Sequence, residues 1–147
     1  MLVLVIDDEP AIRQVLAAML SRNGYDVEQA GSVAQASARL AVGDVDVALS
    51  DIKMPDGNGI DLVRSSRAGG IDTTFLIMTA FASVETAVEA LRAGAADYIT
   101  KPVRGEEVLH RVAQIGAMRG LRDENRVLRR AVGDHAEALY RFECPSM

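Results

Sequence analysis

Five polar residues in this chain of 147 residues follow or end short apolar runs, and together their types could do chemistry. They are Asp7, Asp8, Asp51, Thr79 and Lys101. Clustered carboxylates repel one another unless a cation neutralises them, and their hard oxygens suit Mg²⁺ better than zinc. A hydroxyl and an ammonium beside such a metal would bind the oxygens of a phosphoryl group. The five residues therefore predict a Mg²⁺ and phosphoryl site, provided that the fold brings them together.

Each of these residues also has an ordinary structural explanation. An aspartate after a buried strand is often a turn former or a helix cap, and for Asp8 alone this explanation stands level with a ligand role. A threonine that ends a strand is usually structural, and a lone Lys-Pro pair is usually a turn. The occurrence of all five residues at strand ends favours a shared site over five unrelated roles.

The elements that would position these residues can be predicted from the alternation of apolar runs with longer amphipathic segments. The predicted strands are Leu2–Ile6, Tyr25–Ala30, Val45–Leu49, Thr74–Thr79 and Tyr98–Thr100. The predicted helices are Pro10–Ser21, Ser32 (as N-cap) to Gly43, Ile60–Arg67, Ser83 (as N-cap) to Ala93, and Glu106 to about Leu139, with a loop at Asp51–Asn58. Strands that alternate with helices predict an α/β fold with a parallel sheet. Ligands of such sheets bind at the carboxyl ends of the strands, where the five residues lie.

The composition excludes several classes of protein. There are 16 Lys+Arg against 21 Asp+Glu, a net charge of −5, and 49% of the residues are hydrophobic, which excludes intrinsic disorder. The single cysteine excludes a disulfide scaffold. The chain opens without a basic n-region or cleavage site, and no apolar run approaches the ~18 residues of a membrane span. We therefore expect a cytoplasmic protein that binds neither membranes nor, given its acidity, nucleic acid directly.

The ordered set of motifs resembles the receiver domain of bacterial two-component response regulators. The matching stretches are Val3–Pro10, Asp51–Gly59, Met78–Phe81 and Ala95–Pro102. The resemblance covers about residues 1–118, which we take as the receiver domain. It implies a flavodoxin-like, doubly wound sheet of five parallel strands in the order 2-1-3-4-5, followed by an extended C-terminal helix.

The resemblance also implies a role for each site residue. Asp51 would be the phosphoacceptor, attacking the phosphorus of a phosphohistidine on a sensor histidine kinase. Asp8 would bind Mg²⁺ directly and Asp7 through water or as a second ligand. Asp51 and the backbone carbonyl of Lys53 would complete the protein ligands. Lys101 would pair with Asp51 before phosphorylation and with the phosphoryl oxygens afterwards.

A conformational switch is implied as well. Thr79 would move in to donate to a phosphoryl oxygen, and Tyr98 would turn inward into the space that this leaves. The alternative for Tyr98 is an ordinary half-buried aromatic residue with its hydroxyl in water. The Lys101–Pro102 bond would be cis, as in the family. Lys53 and Phe81 occupy positions that tune phosphoryl lifetime in the family, but their types do not predict a lifetime here.

The segment 119–147 is predicted to be a helical linker that forms a parallel coiled coil. With Met118 at heptad position a, the a and d positions that follow carry Leu121, Asn125, Leu128, Val132, His135 and Leu139. An asparagine at an a position favours a two-stranded parallel register. This predicts a homodimer through that helix, and a solvated single helix is the alternative.

Three further stretches resemble sigma-54-dependent transcription activators of the nitrogen-regulatory class. They are Val84–Ala90, Asp123–Asn125 and Tyr140–Glu143. In that class an ATPase domain and a DNA-binding domain follow the receiver. The sequence has no Gly-rich loop with Gly-Lys-Ser/Thr and no DNA-binding helix pair. The chain is therefore expected to be either a fragment of such an activator or a regulator that naturally lacks an output domain.

Three other functions are less consistent with the sequence than a signalling switch. An aspartyl-phosphate phosphatase would also use a nucleophilic aspartate and Mg²⁺, but it has a second aspartate where this chain has Lys53, and its nucleophile follows the first strand. A flavodoxin-like cofactor site is disfavoured because the acidic loop at Asp7 and Asp8 would repel a flavin phosphate. His110 as a phosphorelay histidine would lack the surrounding helix bundle. The switch, which catalyses only its own phosphorylation and dephosphorylation, is the favoured function.

Overall fold

A computed structural model of the chain describes residues 1–80 and 83–120. The strands are β1 (Leu2–Ile6), β2 (Asp26–Ala30), β3 (Val47–Asp51), β4 (Lys53–Met54), β5 (Gly57–Asn58), β6 (Thr74–Thr79) and β7 (Asp97–Thr100). The helices are α1 (Pro10–Arg22), α2 (Val33–Val42), α3 (Gly59–Ala68) and α4 (Val84–Ala93), and residues 105–120 form a further helix, α5.

Five of the strands form one parallel sheet in the order β2-β1-β3-β6-β7. Because β6 and β7 are the fourth and fifth strands of this sheet, the expected order 2-1-3-4-5 is confirmed. β4 and β5 form a separate antiparallel pair between β3 and α3. The fold is therefore the doubly wound, flavodoxin-like one that the resemblance implied.

The apolar runs explain which strands lie in the middle of the sheet. Val3, Leu4, Val5 and Ile6 of β1 are all 0% exposed, although successive side chains of a strand point to opposite faces. Both faces of the central strands must therefore be covered by helices. The edge strand β2 has instead three exposed residues out of five, as its polar sequence suggests.

Helix ends follow the predicted capping signals. The Ser32 hydroxyl accepts the N–H of Gln35 at the start of α2, and the Ser83 hydroxyl accepts the N–H of Thr86 at the start of α4. Gly94 ends α4 in the left-handed region with a φ of 115°. These contacts fix where α2 and α4 begin and where α4 ends, and α4 connects the site-bearing strands β6 and β7.

Two predicted boundaries are corrected by the structure. The sequence predicts the third strand at Val45–Leu49, but β3 begins at Val47 and extends to Asp51, which still pairs with Met78 of β6. The predicted loop at Asp51–Asn58 contains the hairpin of β4 and β5. Asp51 is thus held by the sheet itself and not by a loop.

The chain divides into two units, Met1–Val112 and Ala113–Met147. The first contains the whole sheet and the beginning of α5, where Val108 and Val112 are buried. In the second, the described residues 113–120 are helical. The predicted domain boundary at residue 118 stays a prediction.

Most of the predicted coiled coil lies outside the described residues. This applies to Leu121, Asn125, Leu128 and Val132, whereas Met118 lies in the described part of α5. The predicted dimer helix is therefore not tested by the structure. Within the described part of the chain, no helix is both long and apolar enough to cross a membrane.

Candidate functional site

The topology places the predicted site residues at one edge of the sheet. Asp7 follows β1, Asp51 and Thr79 are the last residues of β3 and β6, and Lys101 follows β7. These four strands are neighbours and parallel, so their carboxyl ends meet. The backbone N–H of Lys101 donates to the carbonyl of Thr79 at 2.7 Å, which holds these two residues side by side.

Three carboxylates converge at this edge. Asp7, Asp8 and Asp51 each offer an oxygen, and these oxygens all lie within 4.8 Å of one another. Asp7 is 0% exposed, Asp8 is exposed, and the side chain of Asp51 is 14% exposed. The cluster is thus buried at one end and open to solvent at the other.

Lys101 forms ion pairs with two of these carboxylates. Its Nζ lies 2.9 Å from Oδ2 of Asp51 and 3.1 Å from Oδ2 of Asp7, and its side chain is only 16% exposed. The resemblance implied the first pair; the second was not anticipated. Burial lowers the pKa of Lys101, but the hydrogen bonds to Asp51 and Asp7 outweigh this and raise it. The ammonium therefore compensates the buried charge of Asp7.

The acidic loop after β1 is held by backbone contacts and by a residue that the sequence analysis missed. The second oxygen of Asp7, Oδ1, accepts the N–H of Glu9 at 3.0 Å, and the N–H of Asp7 donates to the carbonyl of Ala30. Arg13 of α1 donates from Nη1 to the carbonyl of Asp7 at 2.6 Å. The only signal for Arg13 in the sequence is a basic residue one turn into the helix after the acidic pair.

The end of β3 is held by two further residues. The buried Ser50 hydroxyl donates to the carbonyl of Asp51 at 2.9 Å. Gly59 donates its N–H to the carbonyl of Ile52 at 2.7 Å, and a Cβ on Gly59 would lie only 2.1 Å from the carbonyl oxygen of Asp51. Glycine is therefore required for this close approach, which fixes the backbone of Asp51.

A cleft of about 260 Å³ opens beside the carboxylates. Its lining includes Asp51, Lys53, Thr79, Thr86 and Lys101. The cleft has room for a small anion, and these five lining residues carry one carboxylate, two hydroxyls and two ammonium groups.

Tyr98 is a residue of β7, which packs against α4. It is partly buried and packs against the hydrophobic core. It shares with Thr79, Thr86 and Ala87 the lining of a cavity that is too narrow for a water molecule. This packing is compatible with a switch role and with an ordinary half-buried aromatic residue.

The remaining predicted positions are placed as follows. The Lys101–Pro102 peptide bond is cis. Lys53 is the first residue of β4 and is exposed, and His110 is exposed on α5. Phe81 lies outside the described residues.

The comparisons with known proteins identify the family. Residues 3–113 match the family described as the response regulator receiver domain. The chain belongs to this family. The family resemblance read from the motifs of the sequence is thereby confirmed.

Individual relatives agree with this assignment. The chain is 42% identical over 100 residues to PilR, a response regulator protein of Pseudomonas aeruginosa. The aligned region covers 68% of this chain and 22% of PilR. The regulatory protein AtoC of Escherichia coli is 37% identical over 120 residues, or 80% of this chain and 26% of AtoC. The solved structure of the beryllofluoride-activated NtrC4 receiver domain dimer matches with a TM-score of 0.73 at 31% identity, covering 78% of this chain and 94% of that chain. The chain thus spans roughly a quarter of the length of these two curated relatives.

The donors of this receiver fit Mg²⁺. Receiver domains bind this ion at an acidic cluster, and here the group of Asp7, Asp8 and Asp51 offers only hard oxygens. The formal charges of these three carboxylates and of the Lys101 ammonium sum to −2, which a divalent cation would balance. Among residues 1–80 and 83–120, no other group of acidic, His or Cys side chains converges in this way.

The ion pairs of Lys101 predict a pH-dependent stability. Lys101→Met should lower the free energy of unfolding by roughly 2 kcal/mol without Mg²⁺, because the buried Asp7 loses its cation while some solvent screening remains. The folded-state pKa of Lys101 is raised. The wild type therefore has its full excess of unfolding free energy over Lys101→Met below the ordinary lysine pKa of 10.5. This difference in unfolding free energy is lost as the pH rises through the folded-state pKa of Lys101.

Urea unfolding of both proteins, at neutral pH and above pH 10.5, measures this difference. Comparing the two proteins at each pH cancels the titration of groups that they share. A difference that stays constant over this range would contradict the stabilising role of the ion pairs.

Proposed function

We propose that this receiver is a phosphorylation-dependent signalling switch whose phosphoacceptor is Asp51. The observation that carries this proposal is the convergence of Asp51, Thr79 and Lys101 with the acidic pair at one sheet edge. Receiver domains interact with histidine kinases. The proposed donor is therefore a phosphohistidine of a sensor kinase.

The proposed transfer uses groups that the fold already orients. A carboxylate oxygen of Asp51 attacks phosphorus, the P–O bond forms, and the P–N bond breaks with its electron pair going to the histidine nitrogen. The ammonium of Lys101, now 2.9 Å from Asp51, would then donate to the phosphoryl oxygens. The hydroxyl of Thr79 would donate to another of them.

The proposed metal ligands are the carboxylates of Asp7, Asp8 and Asp51 and the backbone carbonyl of Lys53. A bound Mg²⁺ would supply charge neutralisation for the transferred group. Without it, Asp7 and Asp51 already share the Lys101 ammonium. The same ammonium can therefore serve the resting and the phosphorylated state.

The proposed switch connects the phosphoryl group to the face of α4. Phosphorylation adds up to about two negative charges and three acceptors at Asp51. A shift of Thr79 toward them would open the narrow cavity that it shares with Tyr98 and Thr86. Tyr98 would turn into that space and change the surface formed by α4 and β7.

The test of this function is stoichiometric labelling by a small phosphodonor. With acetyl phosphate and Mg²⁺, the chain should gain one phosphoryl group, detected as a mass increase of the intact protein. A hydrolase would instead turn over a generic phosphomonoester many times, and sustained turnover would contradict the switch. The absence of a second aspartate at Lys53 favours the switch.

For the whole regulator we propose control of sigma-54-dependent transcription in the cytoplasm. Val84–Ala90, Asp123–Asn125 and Tyr140–Glu143 support this subclass through their resemblance to it. The match to the NtrC4 receiver is in keeping with it. Output by an ATPase domain and a DNA-binding domain would lie beyond this chain.

We also predict a homodimer formed through the heptad positions of residues 118–139. Sedimentation of the full chain should give a dimer mass in at least one of two states, with or without beryllofluoride, a phosphoryl mimic. Replacing Leu121 and Leu128, both at d positions, by glutamate should give a monomer because two buried apolar positions become charged. Arg130→Glu, at an outward f position, is the matched control. A wild-type monomer in both states would rule out the coiled coil.

A further inference from the structure

The hairpin after Asp51 is anchored to a helix that is distant in sequence. β4 and β5 have only two residues each. A two-stranded pair is marginal by itself in water, and one this short needs other contacts to hold its shape. The conformation of Lys53, the first residue of β4, therefore depends on how the hairpin is fixed to the rest of the domain.

Asp56, in the turn of this hairpin, binds the N-terminus of α2 with both carboxylate oxygens. Oδ1 accepts the N–H of Val33 at 2.8 Å, and Oδ2 accepts the N–H of Ala34 at 3.0 Å. These are the first two residues of α2, whose N–H groups have no partner within the helix. The partial positive charge of the helix N-terminus also favours a carboxylate there. The hydrogen bonds from Ala34 and Val33 lower the pKa of Asp56, so it is ionised at neutral pH.

Packing reinforces this connection. A Cβ on Gly57 would lie 3.2 Å from the side chain of Val33, so the hairpin approaches α2 closely. Met54 of β4 is buried in the hydrophobic cluster against which Val33 also packs. The far end of the hairpin is fixed separately, by the hydrogen bond from Gly59 to Ile52. Asp56 is therefore the polar anchor of the hairpin tip.

We propose that Asp56 is a positioning residue for the metal site. By fixing the hairpin to α2, it keeps the Lys53 backbone in the conformation in which its carbonyl can bind Mg²⁺. This inference rests on the proposed function, which makes that carbonyl a ligand. Asp56 is not one of the proposed ligands, since both of its carboxylate oxygens bind α2.

The test compares two variants of the full chain, each of which lacks hydrogen-bond acceptors at the N-terminus of α2. Asp56→Ala removes the hydrogen bonds to Val33 and Ala34, whereas Ser32→Ala removes the cap on Gln35 and leaves the hairpin untouched. Both variants remove capping from α2 and should lower its stability. Mg²⁺ titration followed by amide chemical shifts should show an affinity about tenfold weaker for Asp56→Ala and unchanged for Ser32→Ala. Asp56→Asn, which keeps one acceptor oxygen, should fall between Asp56→Ala and the wild type.

Amide hydrogen exchange of the metal-free proteins gives a second readout. The β4–β5 amides should exchange faster in Asp56→Ala and not in Ser32→Ala. Equal weakening of Mg²⁺ binding in both variants would assign the effect to α2 and overturn the inference. Wild-type affinity and exchange in Asp56→Ala would overturn it too, while leaving the proposed function intact. A wild-type chain that binds no Mg²⁺ would instead overturn the proposed function and, with it, this inference.

Discussion

Asp51→Asn is expected to abolish labelling of the chain by acetyl phosphate in the presence of Mg²⁺. The amide nitrogen and oxygen are poor nucleophiles compared with a carboxylate oxygen, so the attack on phosphorus is lost. The side chain keeps its shape and can still accept the hydrogen bond from Lys101, so the fold should be retained. Intact-protein mass spectrometry before and after incubation measures the effect.

The matched control is an aspartate outside the site. Asp61 lies on α3, is largely exposed and pairs with Arg64. Asp61→Asn makes the same chemical change and should be labelled like the wild type. If Asp51→Asn is still labelled, the acceptor lies elsewhere, and the exposed His110 becomes the first residue to replace next.

The position of the site could be predicted from the sequence because a parallel sheet imposes it. The apolar runs before Asp7 and Asp51 are short, continuous and almost fully buried, as is typical of the inner strands of a parallel sheet. Once the strands are parallel and adjacent, their last residues must share an edge. Periodicity does not define the order of the strands in the sheet. That order could be predicted only from the family resemblance.

The supporting contacts could not be predicted because they have no periodicity. Arg13 and Asp56 both act on backbone groups of other segments, the carbonyl of Asp7 and the N–H groups of α2. Many exposed arginines and aspartates have the same local sequence environment without such contacts. The pairing of Lys101 with Asp7 as well as Asp51 likewise depends on side-chain depth at the sheet edge, which composition does not report.

Gly59→Ala is expected to lower the free energy of unfolding by about 3 kcal/mol, because the added methyl group would overpack a buried position. Its Cβ would lie 2.1 Å from the carbonyl oxygen of Asp51 and 2.9 Å from the hydroxyl of Ser50. The first contact is with backbone, which cannot rotate away as a flexible side chain could. The backbone of Asp51 must therefore shift, and phosphorylation should weaken together with stability.

Gly69→Ala is the control for glycine loss alone. Gly69 has a φ of −82°, and a Cβ there would lie 3.4 Å from the carbonyl oxygen of Ser65. The free energy of unfolding of Gly69→Ala should differ from that of the wild type by no more than about 0.5 kcal/mol. Urea unfolding followed by circular dichroism compares both variants with the wild type. Equal stability of the two variants would mean that the chain after Asp51 can move away from α3 at little cost. The close approach of Gly59 to Asp51 would then not be what holds the phosphoacceptor in place.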